Sequence, residues 1–145
     1  MSDLYLLDTN ILIHLIRDDK TGQEIKAQYS PYTRDPKPLI CSVSEGELRS
    51  LALQFLWGGQ KLDKMEFALG YFGRVPIEQL AVMKTYAVID ALSRSKGIKM
   101  GKNDLWISAT AFITDARLLT TDPDFDHLDP DFISIDRVKP QQELR

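Results

Sequence analysis

A chain of 145 residues, 43% hydrophobic and 27% charged, has the size and balance of one globular domain with a core of its own. Its net charge of −3 is mild and argues against a surface coated in basic residues, but it does not exclude a nucleic-acid partner, because metal ions can supply positive charge where phosphate must sit. One cysteine excludes an internal disulfide framework, and no apolar run reaches the length of a membrane span.

The N-terminus carries Asp3 where a signal peptide has a basic region, and its apolar run breaks at Asp8. With the single cysteine, this fits a reducing cytoplasm. "LYLL" (4–7) reads as a short buried strand. Ile11, Leu12, Leu15 and Ile16 then recur at helical spacing, so a helix is expected over 9–17, stopped by "DDKTG", with a second short helix to about Tyr29. "SPYTRDPKP" (30–38) holds three prolines and reads as a loop. "LIC" (39–41) is a brief strand, in which Cys41 reads as a buried thiol. A helix is expected over 44–57, with Leu48, Leu51, Ala52 and Phe55 on its apolar face and "GG" (58–59) as its stop. Residues 62–72 look helical, and "RVPI" (74–77) is a strand candidate. Leu80, Met83, Ala87 and Ala91 mark a long helix to about residues 96–97. "NDLWISATAFIT" (103–114) is a largely apolar helix whose Ser108, Ala109 and Ala111 allow close approach to a sheet. "RLLTT" (117–121) and "FISI" (132–135) complete the strands. Strands alternating with helices imply an α/β fold. The expected architecture is a three-layer sandwich, a central, mostly parallel sheet flanked by helices, in a single domain over 1–145.

In open α/β sheets, ligands bind beyond the carboxyl ends of the strands. Asp8 follows "LYLL" and Asp122 follows "LLTT", while Asp104 and Glu47 (or Glu45) stand at the starts of buried helices that begin at the same edge. Each alone could be a helix cap or a complement to a helix dipole. Four at one edge suggest a shared purpose, because clustered carboxylates resist ionisation unless a cation binds between them. Oxygen donors without His or Cys favour Mg²⁺ or Mn²⁺, and such ions can activate water and stabilise a leaving oxygen in phosphoryl chemistry.

"LLDTNILIHLI", "SVSEGELRS", "GKNDLWISATA" and "LLTTDPDF" resemble the successive motifs of the PIN domain, over about residues 4–136. More narrowly, the chain resembles the VapC-type ribonuclease toxins of bacterial toxin–antitoxin pairs. The first and third motifs are fairly specific in combination, and each alone is weak. The resemblance implies a PIN-like fold and places the family's four acids on Asp8, Glu47, Asp104 and Asp122, as catalytic and metal-holding residues for Mg²⁺ or Mn²⁺. Its polar helpers fall on Thr9, Asn10 and Thr120. It implies hydrolysis of RNA, a homodimer, and a cognate antitoxin whose tail enters the acidic groove.

Glu45 competes with Glu47, since two residues apart on a helix point in very different directions; the motif favours Glu47. Asp124, Asp126 and Asp129 are rivals to Asp122, and all three read as turn formers in a Pro-containing loop. Arg94, Lys96, Lys99 and Lys102 have no acid among them and precede Asp104, so they offer a candidate RNA contact or a solvated helix end. His14 and His127 read as packing or surface residues, with His14 a weak candidate for substrate contact. Trp106 and Tyr86 could stack on bases but sit at helical spacing and read as core. Phe55, Leu56 and Trp57 read as helix packing ahead of a partner surface. A haloacid-dehalogenase-like phosphatase also begins with an Asp at the first strand end, but it needs a second acid where Asn10 stands. A PIN-like scaffold that binds RNA or protein without catalysis is the other alternative. No dinucleotide or P-loop glycine pattern is present.

Overall fold

The structure, a computed structural model, describes residues 3–141. The ends of the expected domain, residues 1–2 and 142–145, lie outside the described residues. Strand β1 (Tyr5–Leu7) lies in the middle of one five-stranded sheet. It pairs in parallel with β2 (Leu39–Cys41) on one side and β4 (Arg117–Thr120) on the other, and β3 (Gly73–Val75) and β5 (Ile135–Arg137) form the edges. The spatial order is therefore β3-β2-β1-β4-β5, parallel throughout.

The central strands are apolar on both faces because both faces are covered. Leu7, Ile40 and Leu119 face a layer built on α1 (Thr9–Arg17), α2 (Lys20–Tyr29) and α4 (Gly59–Tyr71), meeting Ile11, Leu12, Ile25 and Met65. Leu6, Cys41 and Leu118 face the opposite layer, where α5 (Leu80–Ser95) and α6 (Lys102–Thr114) supply Val82, Ile89, Leu105 and Ile107. Helix α3 (Ser42–Gln54) follows β2 without a loop and packs Leu48 and Ala52 into the first layer. The three-layer α/β sandwich expected from the alternation of elements is thus present, and Ser108, Ala109 and Ala111 are buried where α6 lies on the sheet.

Chain direction fixes where a ligand can sit. The chain moves outward from β1 to β3, then returns through α5 and α6 to β4 on the other side of β1. The crevice beyond the carboxyl ends of β1 and β4 is the point where strand order reverses.

Several expected bounds shift for identifiable reasons. The last strand is Ile135–Arg137, not 132–135. The N–H groups of Phe132 and Ile133 both donate to the Leu128 carbonyl (2.9 and 3.2 Å), so these residues belong to the turn that ends the 3-10 segment Pro123–Leu128. Their apolar character reports burial, with Ile133 in the core, and not strand pairing. Strand β3 spans Gly73–Val75, not 74–77. Helix α3 begins at Ser42 and ends at Gln54, not 44–57; Phe55 is its C-cap and Leu56 takes the left-handed turn, so the glycine pair does not stop it as expected but opens α4, with Gly58 as N-cap. Phe55 and Leu56 do not pack as expected: they are 63% and 87% exposed, while Trp57 turns inward. Leu80, Met83, Ala87 and Ala91 also face outward; Val82, Thr85, Ile89 and Ser93 form the buried face of α5.

Candidate functional site

Asp8 is the residue between β1 and α1, and it is 4% exposed. Its backbone N–H continues the sheet by donating to the Leu119 carbonyl (3.0 Å), so the strand ladder fixes its position. One carboxylate oxygen accepts from the Thr9 N–H (2.8 Å), which makes Asp8 the N-cap of α1, and the other accepts from the Thr120 hydroxyl (2.7 Å). Thr120, at the end of β4, also accepts from the Asp122 N–H (3.0 Å), so one hydroxyl ties the ends of β1 and β4 together.

Thr9 extends this arrangement toward α3. Its hydroxyl donates to Glu47 Oε1 (2.7 Å) and lies 2.8 Å from the hydroxyl of Ser44, which is fully buried. Glu45 points elsewhere: it pairs with Arg49 (2.9 Å) and Arg74 (3.3 Å), and the Arg49 hydrogen bond holds its carboxyl below the usual range against a small opposing effect of burial. The side chain of Glu47, and not that of Glu45, therefore meets Thr9 at the carboxyl edge of the sheet.

Asp104 lies in the first turn of α6, Asp122 caps the 3-10 segment, and Asp124 stands inside that segment. One carboxylate oxygen from each of the three lies within 4.8 Å of the other two. Asp122 does form the expected turn contact, accepting from the Asp124 N–H (2.8 Å). Asp124 departs from the turn-former reading, because its carboxylate joins the cluster. Asp126 and Asp129 remain outside it, and Asp126 pairs with Arg137 (3.2 Å).

The electrostatics follow from burial without compensation. Burial pushes the carboxyl of Asp8 up to about 6, and the negative charges of Glu47 and Asp122 add to it, against the hydrogen bonds from Thr120 and Thr9. Burial also pushes Asp104 up to about 7, followed by repulsion from Asp8, Asp122, Asp124 and Glu47. Among the described residues no Lys or Arg forms an ion pair with any of these five acids. One buried oxygen two residues after Asp8, Asn10 Oδ1, has no hydrogen-bond partner. An all-oxygen donor set that lacks countercharge suits a hard divalent cation.

Two clefts contain residues of this acidic edge. One, of about 410 Å³, is lined by Lys99, Gly101, Asp124 and His127; the other, of about 390 Å³, by Glu47, Ser50, Gln54 and Asn103. A larger cavity of about 670 Å³ opens at the opposite edge, beside Arg117 and Ser134 at the starts of β4 and β5, away from the acids. Of the basic residues, Lys99 reaches the cleft beside Asp124, and Lys102 is the exposed first residue of α6. Lys96 is exposed at the end of α5, and Arg94 pairs with Asp90 (2.9 Å). His14 joins Asp19 (2.8 Å) between α1 and α2, and His127 meets Ser93 (2.8 Å), so both hold packed elements together. The rings of Tyr86 and Trp106 pack against each other, tilted by 39° with centroids 4.2 Å apart, and both residues are half-buried. Ser44 is no candidate from the sequence, and Asp124 reads there as a turn former. Only a "D-P-D" spacing and a small polar residue three before Glu47 could have hinted at them.

None of the curated protein sequences matches this chain. Solved structures do match. VapBC2 from Rickettsia felis, bound to a DNA fragment from its promoter, is 19% identical with a TM-score of 0.77, covering 92% of this chain and 98% of that one. DNA-bound VapBC from Salmonella typhimurium is 20% identical with a TM-score of 0.75, covering 92% and 96%. VapBC-1 from nontypeable Haemophilus influenzae is 22% identical with a TM-score of 0.71, covering 94% and 99%. These likenesses establish the fold. The sequence model of the PIN domain matches residues 5–130, a span that contains every acid of the cluster, and the chain belongs to the PIN domain family.

Proposed function

We propose that this chain is a metal-dependent endoribonuclease that hydrolyses RNA phosphodiester bonds, the VapC-type toxin of a toxin–antitoxin pair. The observation that carries the proposal is the uncompensated acidic cluster, in which Asp104, Asp122 and Asp124 converge and burial with mutual repulsion raises Asp104 to about 7. Asp8, Glu47, Asp104 and Asp122 would hold Mg²⁺ or Mn²⁺, with Asp124 in reach. A divalent ion in such a site supplies positive charge to the phosphate and lowers the pKa of water.

The chain's own residues supply position and charge. Thr120 and the Thr9 N–H hold the two oxygens of Asp8. Thr9 holds Glu47. Gly101, the N-cap of helix α6, offers no side-chain cap, so the first N–H groups of the helix favour a phosphate beside Asp104. Lys99 and Lys102 would meet flanking phosphates. The likeness to solved toxin–antitoxin structures supports a cognate antitoxin as partner, and the homodimer is proposed from the resemblance to VapC-type toxins alone. None of the described helices is long and apolar enough to cross a membrane, which is compatible with a cytoplasmic toxin acting as one domain.

The test is cleavage of a mixed RNA pool with Mn²⁺ or Mg²⁺, with and without EDTA, for wild type and Asp8→Asn. Cleavage is expected only in wild type with metal. Absence of cleavage in every condition would favour an RNA- or protein-binding scaffold. Cleavage in EDTA would remove the metal from the mechanism. Metal at one hundred times its Kd is expected to stabilise the fold by about 2.7 kcal/mol, read as a rise in Tm.

A further inference from the structure

Ser44 is polar, fully buried, and takes no part in the carboxylate set. Its hydroxyl faces Thr9 Oγ1 at 2.8 Å, and Thr9 Oγ1 donates to Glu47 Oε1 at 2.7 Å. Proton counting then fixes the direction of the first contact. Thr9 has one hydroxyl proton, and Glu47 receives it. Ser44 must therefore donate and Thr9 accept. The three side chains form a series, from Ser44 Oγ–H to Thr9 Oγ1, and from Thr9 Oγ1–H to Glu47 Oε1.

We propose that Ser44 is a positioning residue for the metal site: it orients the Thr9 hydroxyl, which holds the Glu47 carboxylate at the carboxyl edge of the sheet. The inference rests on the reading of Glu47 as a metal-holding residue. The physical reason is that a glutamate side chain is long and rich in rotamers, and Glu47 is only half-buried. Without a partner it spreads over conformations that turn toward solvent. Thr9 is buried and fixed in the first turn of α1, but its hydroxyl can still rotate. A buried donor on the far side leaves one orientation in which both contacts are made, and hydrogen bonds in series strengthen each other. Ser44 and Glu47 are three residues apart on α3, so one helix face carries both the donor and the group it positions. Glu45 lacks this support and is taken by Arg49 and Arg74.

The experiment is a double-mutant cycle read by calorimetric titration of Mn²⁺ in the absence of RNA. Removing outer partners of metal ligands weakens binding by about 10–100-fold, so Thr9→Val is expected near the lower end of that range and Ser44→Ala at about 5-fold. In the Thr9→Val background, Ser44→Ala should have no further effect, because the series is already broken. Ser44→Cys, a weak donor of similar shape, should fall between Ser44→Ala and wild type. Tm in EDTA confirms that each variant is folded. Wild-type affinity in Ser44→Ala, or an equal loss in both backgrounds, would overturn the relay and leave the metal site standing. Failure of wild type to bind Mn²⁺ would instead end the metal reading. The relay then stands or falls on the Glu47 carboxylate ¹³C signal of the metal-free protein, which Ser44→Ala should shift and must not leave unchanged.

Discussion

At the start of β1, Tyr5 donates to Asp136 Oδ2 at 2.6 Å and Arg117 holds the other oxygen, with the Arg34 guanidinium 4.4 Å above the Tyr5 ring. Three residues along, at the end of the same strand, Asp8 sits among other carboxylates with no cation paired to it. Burial raises the pKa of both acids, yet the outcomes are opposite. At Asp136 burial is the largest single effect, but the hydrogen bonds from Arg117 and Tyr5, with the charges of Arg117 and Arg34, together overcome it and hold the carboxyl below the usual range. At Asp8 the hydrogen bonds from Thr120 and Thr9 do not, and the carboxyl rises to about 6. One end of the sheet satisfies its charge within the chain; the other leaves a deficit that a ligand can fill. Buried charge without compensation is costly, so its presence at the switch point makes this end the candidate for binding.

Mutation of one acid at each end should separate the two roles most sharply. Asp104→Asn is expected to reduce metal-dependent RNA cleavage by about 10³-fold, since loss of charge stabilisation worth several kcal/mol corresponds to that factor. The variant should melt no lower than wild type in EDTA. A variant that cleaves at the wild-type rate would show that Asp104 is not part of the site. Asp136→Ala is the counterpart. It removes the acceptor that Arg117 and the Tyr5 hydroxyl share in a partly buried setting, and should lower stability by about 1–2 kcal/mol in urea unfolding while Mn²⁺ affinity stays unchanged.

Much of this contrast was legible in the sequence, and the remainder was not for physical reasons. Asp8 and Asp122 are placed by element order because parallel strands end at one edge, and Asp104 because α6 leads through a short connection into β4 and so starts at the edge where β4 ends. Asp124 was hidden by a true but incomplete reading: it does sit in a turn, and nothing local tells where a turn side chain points. The outward face of α5 was hidden likewise. Leu80 and Met83 on one side and Val82 and Ile89 on the other both recur at helical spacing, and only packing against α6 selects between them. The choice between Glu45 and Glu47 depends on partners 38 residues away in the case of Thr9 and on Arg74 in the other. Periodicity carries no such information.

The pH dependence of stability tests the charge deficit itself. A group whose pKa is higher in the folded state contributes stability that is full below its unfolded pKa and is lost as pH rises through its folded value. For Asp8 that window runs from its ordinary 3.8 to about 6, and for Asp104 from 3.8 to about 7. In EDTA, the Tm should therefore fall between about pH 4 and pH 7. The displacement at buried Asp8 corresponds to at most about 3 kcal/mol. Asp8→Asn, which cannot ionise, should gain about 1–2 kcal/mol at pH 7 and flatten the curve, and saturating Mn²⁺ should reverse the slope. A wild-type Tm in EDTA that rises over this range would refute the deficit.

The smallest effect expected lies within α3, where two glutamates of similar burial differ only in their partners. Glu45 is held by exposed arginines, and solvent screens such pairs, so Glu45→Gln should cost about 0.5 kcal/mol and leave both cleavage and Mn²⁺ affinity at wild-type levels. Glu47→Gln keeps the shape and can still accept from Thr9, but it removes a charge from the acidic edge, so Mn²⁺ affinity should fall while stability in EDTA holds or rises. Neighbours two positions apart on one helix would then behave as members of the two opposite ends of β1: one balanced within the chain, the other waiting for a cation. If the two substitutions had the same effect on Mn²⁺ binding, local charge alone would explain the site, and the Thr9 contact would lose its meaning.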